Sequence, residues 1–238
     1  MAKQKGVFKF SGVLGNEVGY YRNGQFIIQR KGGFDGERIK TEEQYEGIRQ
    51  RNVEFGKCSK ISSMFKRIFD FYLATLPVPM IYNRIQSLVM GVKDCDVLHT
   101  KGERTFLAGA KSDAGKVLLR SFEFSKLKSV NDCIVVTDAS VLSTGRFSFR
   151  VLDGKLFGKN AMNAVLFVVS VDFDAVSCDI VACERVVSDY SAVIDLRVEL
   201  TEKKDGLMAF LYLGKVSSDG SALLRTEKNA MGLVAFDF

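Results

Sequence analysis

At 238 residues, 47% of them apolar and 26% charged, the chain is long enough for one large domain or two ordinary ones and too apolar for extended disorder. A single histidine and five scattered cysteines (Cys58, Cys95, Cys133, Cys178, Cys183), with no CxxC pair, argue against a zinc site or a disulfide framework, so the cysteines read as small buried hydrophobes. The net charge of +6 is uneven: residues 1–119 hold 20 Lys+Arg against 12 Asp+Glu and residues 120–238 hold 14 against 16, so only the first half suits a polyanion.

Met1 to Gly6 has a charged start with no apolar stretch behind it, and no apolar run reaches the roughly 18–20 residues of a membrane helix. The sequence therefore predicts cytoplasmic synthesis without a signal peptide. Gly6 to Phe10 alternates as a short strand, and Ser11 to Asn16 is a glycine-punctuated turn. Glu17 to Arg22 and Gln25 to Arg30 flank Asn23-Gly24, the strongest short-range signal for a type I′ hairpin. Such a hairpin is marginal in water and must cover itself with something.

Gly32, Gly33 and Gly36, with Arg30, Lys31, Arg38 and Lys40 around them, make a basic loop. Its spacing is neither the P-loop nor the dinucleotide pattern, and a turn needing positive φ is the simpler reading. Thr41, with Glu42, Glu43 and Gln44 behind it, fits a capping box. Tyr45, Ile48, Val53, Phe55, Cys58, Ile61, Phe65, Ile68 and Tyr72 then draw one helical stripe, with Gly56 a potential kink. Outside it lie Arg49, Arg51, Lys57, Lys60, Lys66 and Arg67, either a solvated face or a docking surface for an anionic partner. The candidate contacts for such a partner are Arg30, Lys31, Arg38, Lys40, Arg49, Arg51, Lys57 and Lys60.

Pro77-Val78-Pro79 ends this helix, and a second is predicted from Val78 to Lys93, with Ile81, Ile85, Leu88 and Val89 or Val92 on one face. The resulting αα-hairpin is a natural cover for the N-terminal strands. His99 sits beside a Lys/Arg-rich loop and reads as a solvated surface residue rather than a general base. From about Val117 the texture changes to strands: Cys133–Thr137, Arg146–Val151, Val165–Phe173, Asp179–Val187, Ser191–Leu200, Leu207–Val216, Ala222–Leu224 and Leu233–Phe238. Asp153-Gly154, Lys204-Asp205-Gly206 and Ser218-Asp219-Gly220 are turn signals between them, and the spacing predicts an antiparallel sandwich.

The predicted fold is therefore α+β: a basic docking module over residues 1–115, built from a β-hairpin and an αα-hairpin, followed by an antiparallel β-sandwich over residues 116–238. Asp172, Asp174 and Asp179 read as a solvated strand end rather than a cation site, and Glu199, Glu202 and Asp205 as a charged turn. No catalytic constellation, cofactor site or metal site emerges, and the sandwich lacks the stacking pattern of the common RNA-binding folds.

Lys5-Gly6, Gly12 to Gly15, Gly19-Tyr20-Tyr21, Arg30 to Gly33, Arg38-Ile39, Arg49 to Asn52 and Glu54-Phe55-Gly56 together resemble a set of uncharacterised proteins recurrent in Bacteroidetes genomes. In those proteins a strand, turn and basic-helix module precedes a variable β-rich half. The resemblance covers about the first 75 residues and implies a shared module without catalytic residues; by analogy it points to virion or prophage-related particles. The expected function is a non-enzymatic structural protein that forms homo-oligomers or joins other particle subunits. Nucleic-acid or ribonucleoprotein binding through residues 30–60 is the alternative.

Overall fold

Asn23 and Gly24 turn the chain with φ of 51° and 77°, and Arg22 pairs with Gln25 across them, the two-residue type I′ geometry expected of Asn-Gly. Strands β1 (Ala2–Lys3), β2 (Gly12–Leu14), β3 (Glu17–Arg22) and β4 (Gln25–Arg30) make an antiparallel sheet in the order β1-β4-β3-β2. Gly6 to Phe10 is not the strand its alternation predicts. The Gln4 side chain holds that segment instead, donating to the carbonyls of Phe10 and Ile27 at 3.1 Å and accepting from the Phe10 N–H at 2.9 Å.

The computed structural model describes residues 2–32, 36–125, 129–152, 161–187, 193–200, 206–217 and 222–238. Gly33 in the basic loop, the turn signals Asp153-Gly154, Lys204-Asp205 and Ser218-Asp219-Gly220, and Glu202 lie outside these residues. Contacts divide the chain into Met1–Arg49 and Gln50–Phe238.

In the first unit, helix α1 (Gly36–Thr41) and a 3-10 turn (Glu43–Tyr45) follow the sheet. The capping box predicted at Thr41 does not form. Thr41 closes α1 rather than opening the next helix, and its hydroxyl donates back to the Glu37 carbonyl at 3.0 Å. Helix α2 (Glu46–Ile68) runs unbroken through Gly56; Phe69 then interrupts it before α3 (Asp70–Leu73).

In the second unit, α4 (Ile81–Asp94), α5 (Phe106–Lys111) and α6 (Asp113–Arg120) complete a helical layer. A Cβ on Gly109 would overlap the Val92 carbonyl, so α5 approaches α4 as closely as only glycine permits. Strand β5 (Ile134–Asp138), the short helix α7 (Val141–Thr144), β6 (Arg146–Val151), β7 (Met162–Asp172), β8 (Ser177–Val187), β9 (Ile194–Arg197), β10 (Gly206–Lys215) and β11 (Ala230–Asp237) follow. They form two antiparallel sheets, β11-β10-β7-β8 and β5-β6-β9. Ala222 to Leu224 is not a strand and leaves only an isolated bridge, Val216 to Leu223.

The larger sheet is buried on both faces. Val165, Phe167, Val169, Phe210 and Tyr212 meet Cys58, Ile61, Phe65, Phe69, Ile85 and Val89 of the helices. The alternate residues Ala164, Leu166, Val168, Ala209 and Leu211 meet Phe147, Phe149, Ile194 and Leu196 of the smaller sheet. The helices predicted to cover the N-terminal strands thus bury their stripes on β7 and β10. The sequence boundary at residues 115/116 falls inside α6, which continues to Arg120 where strands are expected from Val117, and the elements on either side of it share one core.

Candidate functional site

The eight basic residues singled out in the sequence fall into two groups. Arg38 pairs with Glu42 at 2.5 Å and Lys40 with Glu37 at 2.8 Å on α1. Arg49 pairs with Glu46 at 2.5 Å and also donates to the carbonyls of Ile39 and Glu42. These three charges are neutralised within their own helices and turns. Arg30 and Lys31 are exposed at the end of β4, and Arg51, Lys57 and Lys60 are exposed on α2. The last three have no ion-pair partner among the described residues.

The N-terminal sheet is the more unusual surface. Among described residues 2–49, Gly19 is the only buried position, while Val7 and Phe8 are 95% and 94% exposed. Val13, Leu14 and Tyr21 are exposed as well. Tyr21 meets the Phe26 ring edge-on at 4.9 Å, and the Lys9 ammonium lies 5.5 Å from the same ring. These contacts hold the hairpin's outer surface without enclosing it.

In the second unit, a buried ionic cluster joins α2, α4 and the turn before α5. Glu54, 1% exposed, accepts from Lys93 Nζ at 2.7 Å, from Arg104 Nε and Nη2 at 2.9 Å, and from the Gly102 N–H at 2.7 Å. Burial alone would raise the Glu54 pKa; the donors from Arg104, Lys93 and Gly102 outweigh it and hold the carboxyl at about 2. Lys93 is likewise kept protonated against burial by Asp94 and Glu54. Beside it, buried Asp96 accepts from the N–H groups of Leu98, His99 and Thr105 and from the His99 ring at 2.8 Å. The carboxylates of Glu54 and Asp96 are both used internally, which fixes residues 96–105. His99 is exposed, as expected of a surface residue, and its ring also joins this clamp through Asp96.

This cluster was missed in the sequence, although its signal is present. Counting back from Phe65, Ile61 and Cys58 at steps of 4, 3 and 4 reaches Glu54, not Val53 or Phe55, which are each 52% exposed. A carboxylate on an apolar stripe demands buried partners.

Two clefts flank α2. One, of about 290 Å³, has Lys57, Lys60, Arg104 and Asp174 around a floor of Cys58, Ile61, Phe106 and Phe173. Its neighbour, of about 440 Å³, lies along Phe55, Ser59, Lys60, Ser63 and Arg67. Val176 borders both, with a φ of 52° that is rare for a β-branched residue.

No family model, curated protein or solved structure matches this chain. Among the described residues no group of three His, Cys, Asp or Glu side chains could hold a metal ion, and no helix is long and apolar enough to cross a membrane. The five cysteines form no disulfide with one another. Cys58 and Cys133 are buried as expected, whereas Cys95, Cys178 and Cys183 are half-exposed. Cys178 pairs in register with Val171 and Cys183 with Leu166, which puts them on opposite faces of the sheet, as an odd spacing along one strand requires. Asp172 accepts from the Ala175 N–H at 2.7 Å, closing the turn out of β7.

Proposed function

We propose that the chain is a non-enzymatic assembly protein that joins copies of itself into a larger particle, phage-like or filamentous, through its N-terminal sheet and the edges of its sandwich. The observation that carries this reading is the sheet of residues 2–30, which buries no apolar side chain of its own. A sheet persists in water when one apolar face is covered. Covering Val7, Phe8, Val13, Leu14 and Tyr21, at roughly 1.5–3 kcal/mol for each large side chain fully buried, would supply what this unit lacks.

A second copy suits this role through charge. The excess of basic residues over 1–119 is complemented by the slight acidic excess over 120–238. Basic halves meeting acidic halves form a head-to-tail contact, which closes into rings or extends into filaments. Strand β8 adds a second opening: it pairs only with β7 among the named strands, and Ile180 and Val186 are exposed along it. The resemblance of the first 75 residues to a Bacteroidetes module belongs with this reading.

Hydrogen exchange measured at low and high protein concentration tests it. The amides of β2 and β3 become protected as concentration rises; exchange independent of concentration throughout residues 2–30 contradicts the reading.

The alternative, phosphate binding to nucleic acid, is favoured by Arg51, Lys57 and Lys60 on α2, which have no ion-pair partner among the described residues. Internal pairing of Arg38, Lys40 and Arg49 weakens it. Duplex DNA affinity that falls with a log–log salt slope of about −0.9 per phosphate contact would favour it over assembly.

A further inference from the structure

We propose that the cleft beside α2 bordered by Lys57 and Lys60 binds a small organic anion with one acidic head and an apolar body. The proposal stands apart from the assembly reading and uses none of the N-terminal sheet.

Lys57 and Lys60 are three residues apart on α2 and so neighbours on one helix face, with Cβ atoms about 5–6 Å apart. Both are exposed and border the same cleft, and neither has a carboxylate within ion-pair distance among the described residues. Two adjacent unneutralised ammonium groups repel each other weakly, and an anion seated between them removes that cost. The third cation of the cleft is already satisfied. Arg104 is held by Glu54 at 2.9 Å and Asp94 at 3.1 Å, so its charge is balanced within the fold. Asp174 is the one carboxylate among the described residues lining the cleft, leaving the lysine pair as the dominant field.

The floor gives the ligand its second property. Cys58, Ile61, Phe106 and Phe173 are all buried members of the helix-facing core, and the cleft opens onto them. The Cys58 thiol, pushed up to about 11 by burial, contributes as an apolar surface rather than a nucleophile. A volume of about 290 Å³ lies at the small end of ligand pockets and accommodates a short acyl chain or an aromatic ring system. A bare inorganic anion would leave that floor wet, and a neutral hydrocarbon would leave the lysines unpaired. Only a molecule carrying both features uses the whole cleft.

The test is fluorescence titration of the full-length protein with 8-anilinonaphthalene sulfonate, with decanoate, decylamine and inorganic phosphate as competitors. The proposal expects one saturable site, displacement by decanoate, and little displacement by decylamine or phosphate. The double variant Lys57→Glu/Lys60→Glu should bind the dye at least tenfold more weakly with its thermal midpoint unchanged. Arg150→Glu, an exposed change on β6, should bind as the parent does. Dye binding on the exposed N-terminal sheet would survive the double lysine variant. Survival of that kind, displacement by decylamine equal to that by decanoate, or the absence of saturable binding overturns the proposal.

Discussion

The Glu54 carboxylate lies 2.7 Å from the Lys93 ammonium, and each side chain is only 2% exposed. The pair joins the middle of α2 to the last turn of α4, and Arg104 closes it from the following turn. Removing one partner of a buried pair costs more than the pair contributes, because the other charge is left without water. Glu54→Gln should therefore lower unfolding free energy by about 3–5 kcal/mol in urea titration. The double change Glu54→Met/Lys93→Met should recover part of that loss, because the stranded ammonium is removed while Arg104 and the Gly102 N–H still lack their acceptor. A double variant as unstable as the single one would contradict this account of the cluster.

Acid should weaken the second unit through the same groups. Glu54 is held at about 2 against its ordinary 4.5, and Asp96, despite its burial, is lowered by the Thr105 N–H and the His99 ring. Because the folded values are depressed, the unfolded chain binds protons first as pH falls. The stability these groups contribute is complete above about pH 5 and is lost as pH drops through 4 towards 2. For Glu54 alone the loss is on the order of 3 kcal/mol. Urea unfolding at pH 7, 5 and 3 should show this decline, and Glu54→Gln should flatten it; an unchanged slope in the variant contradicts the assignment.

Tyr212 is fully buried on β10, and its hydroxyl meets Thr75 Oγ1 at 2.6 Å and Asn229 Nδ2 at 3.4 Å. Asn229 in turn donates to the carbonyls of Thr75 and Leu224 and accepts from the Lys215 N–H. This network ties the end of α3 to the central sheet. Tyr212→Phe keeps the ring and strands its partners, with an expected cost of about 1–3 kcal/mol. A neutral effect in thermal unfolding would show that the network relaxes without loss.

The contact of α4 with α5 admits no side chain at Gly109. Gly109→Ala should destabilise by about 1–3 kcal/mol even though alanine is the better helix former. A stabilising result would mean that α5 shifts freely on α4.

What the sequence revealed depended on how local the determining interactions are. The Asn23-Gly24 hairpin is decided by two residues and is found as predicted, and β6 runs from Arg146 to Val151 as its alternation implies. Ser191 to Leu200, read as one strand, yields only the four residues of β9 among those described. The three-layer arrangement was less visible because it depends on distant partners. Yet the near-continuous apolar run from Met162 to Val171 is the signature of a strand covered on both faces, and both faces are covered. Glu54 is hard to place from its residue type, because a carboxylate suggests an exposed position while its place on the stripe is buried. Alternation predicts a strand through Val7 and Phe8, but nothing local to them supplies a cover.

The measurement that tests the central claim most directly is size-exclusion chromatography with light scattering, on nucleic-acid-free protein, over a wide concentration range at low and high salt. Assembly through the N-terminal sheet predicts a mass that grows with concentration. It also predicts that Phe8→Asp/Leu14→Asp returns the protein to the mass of a single 26.5 kDa chain with its second unit still folded. A parent protein that stays at the mass of one chain at every concentration and salt would contradict it.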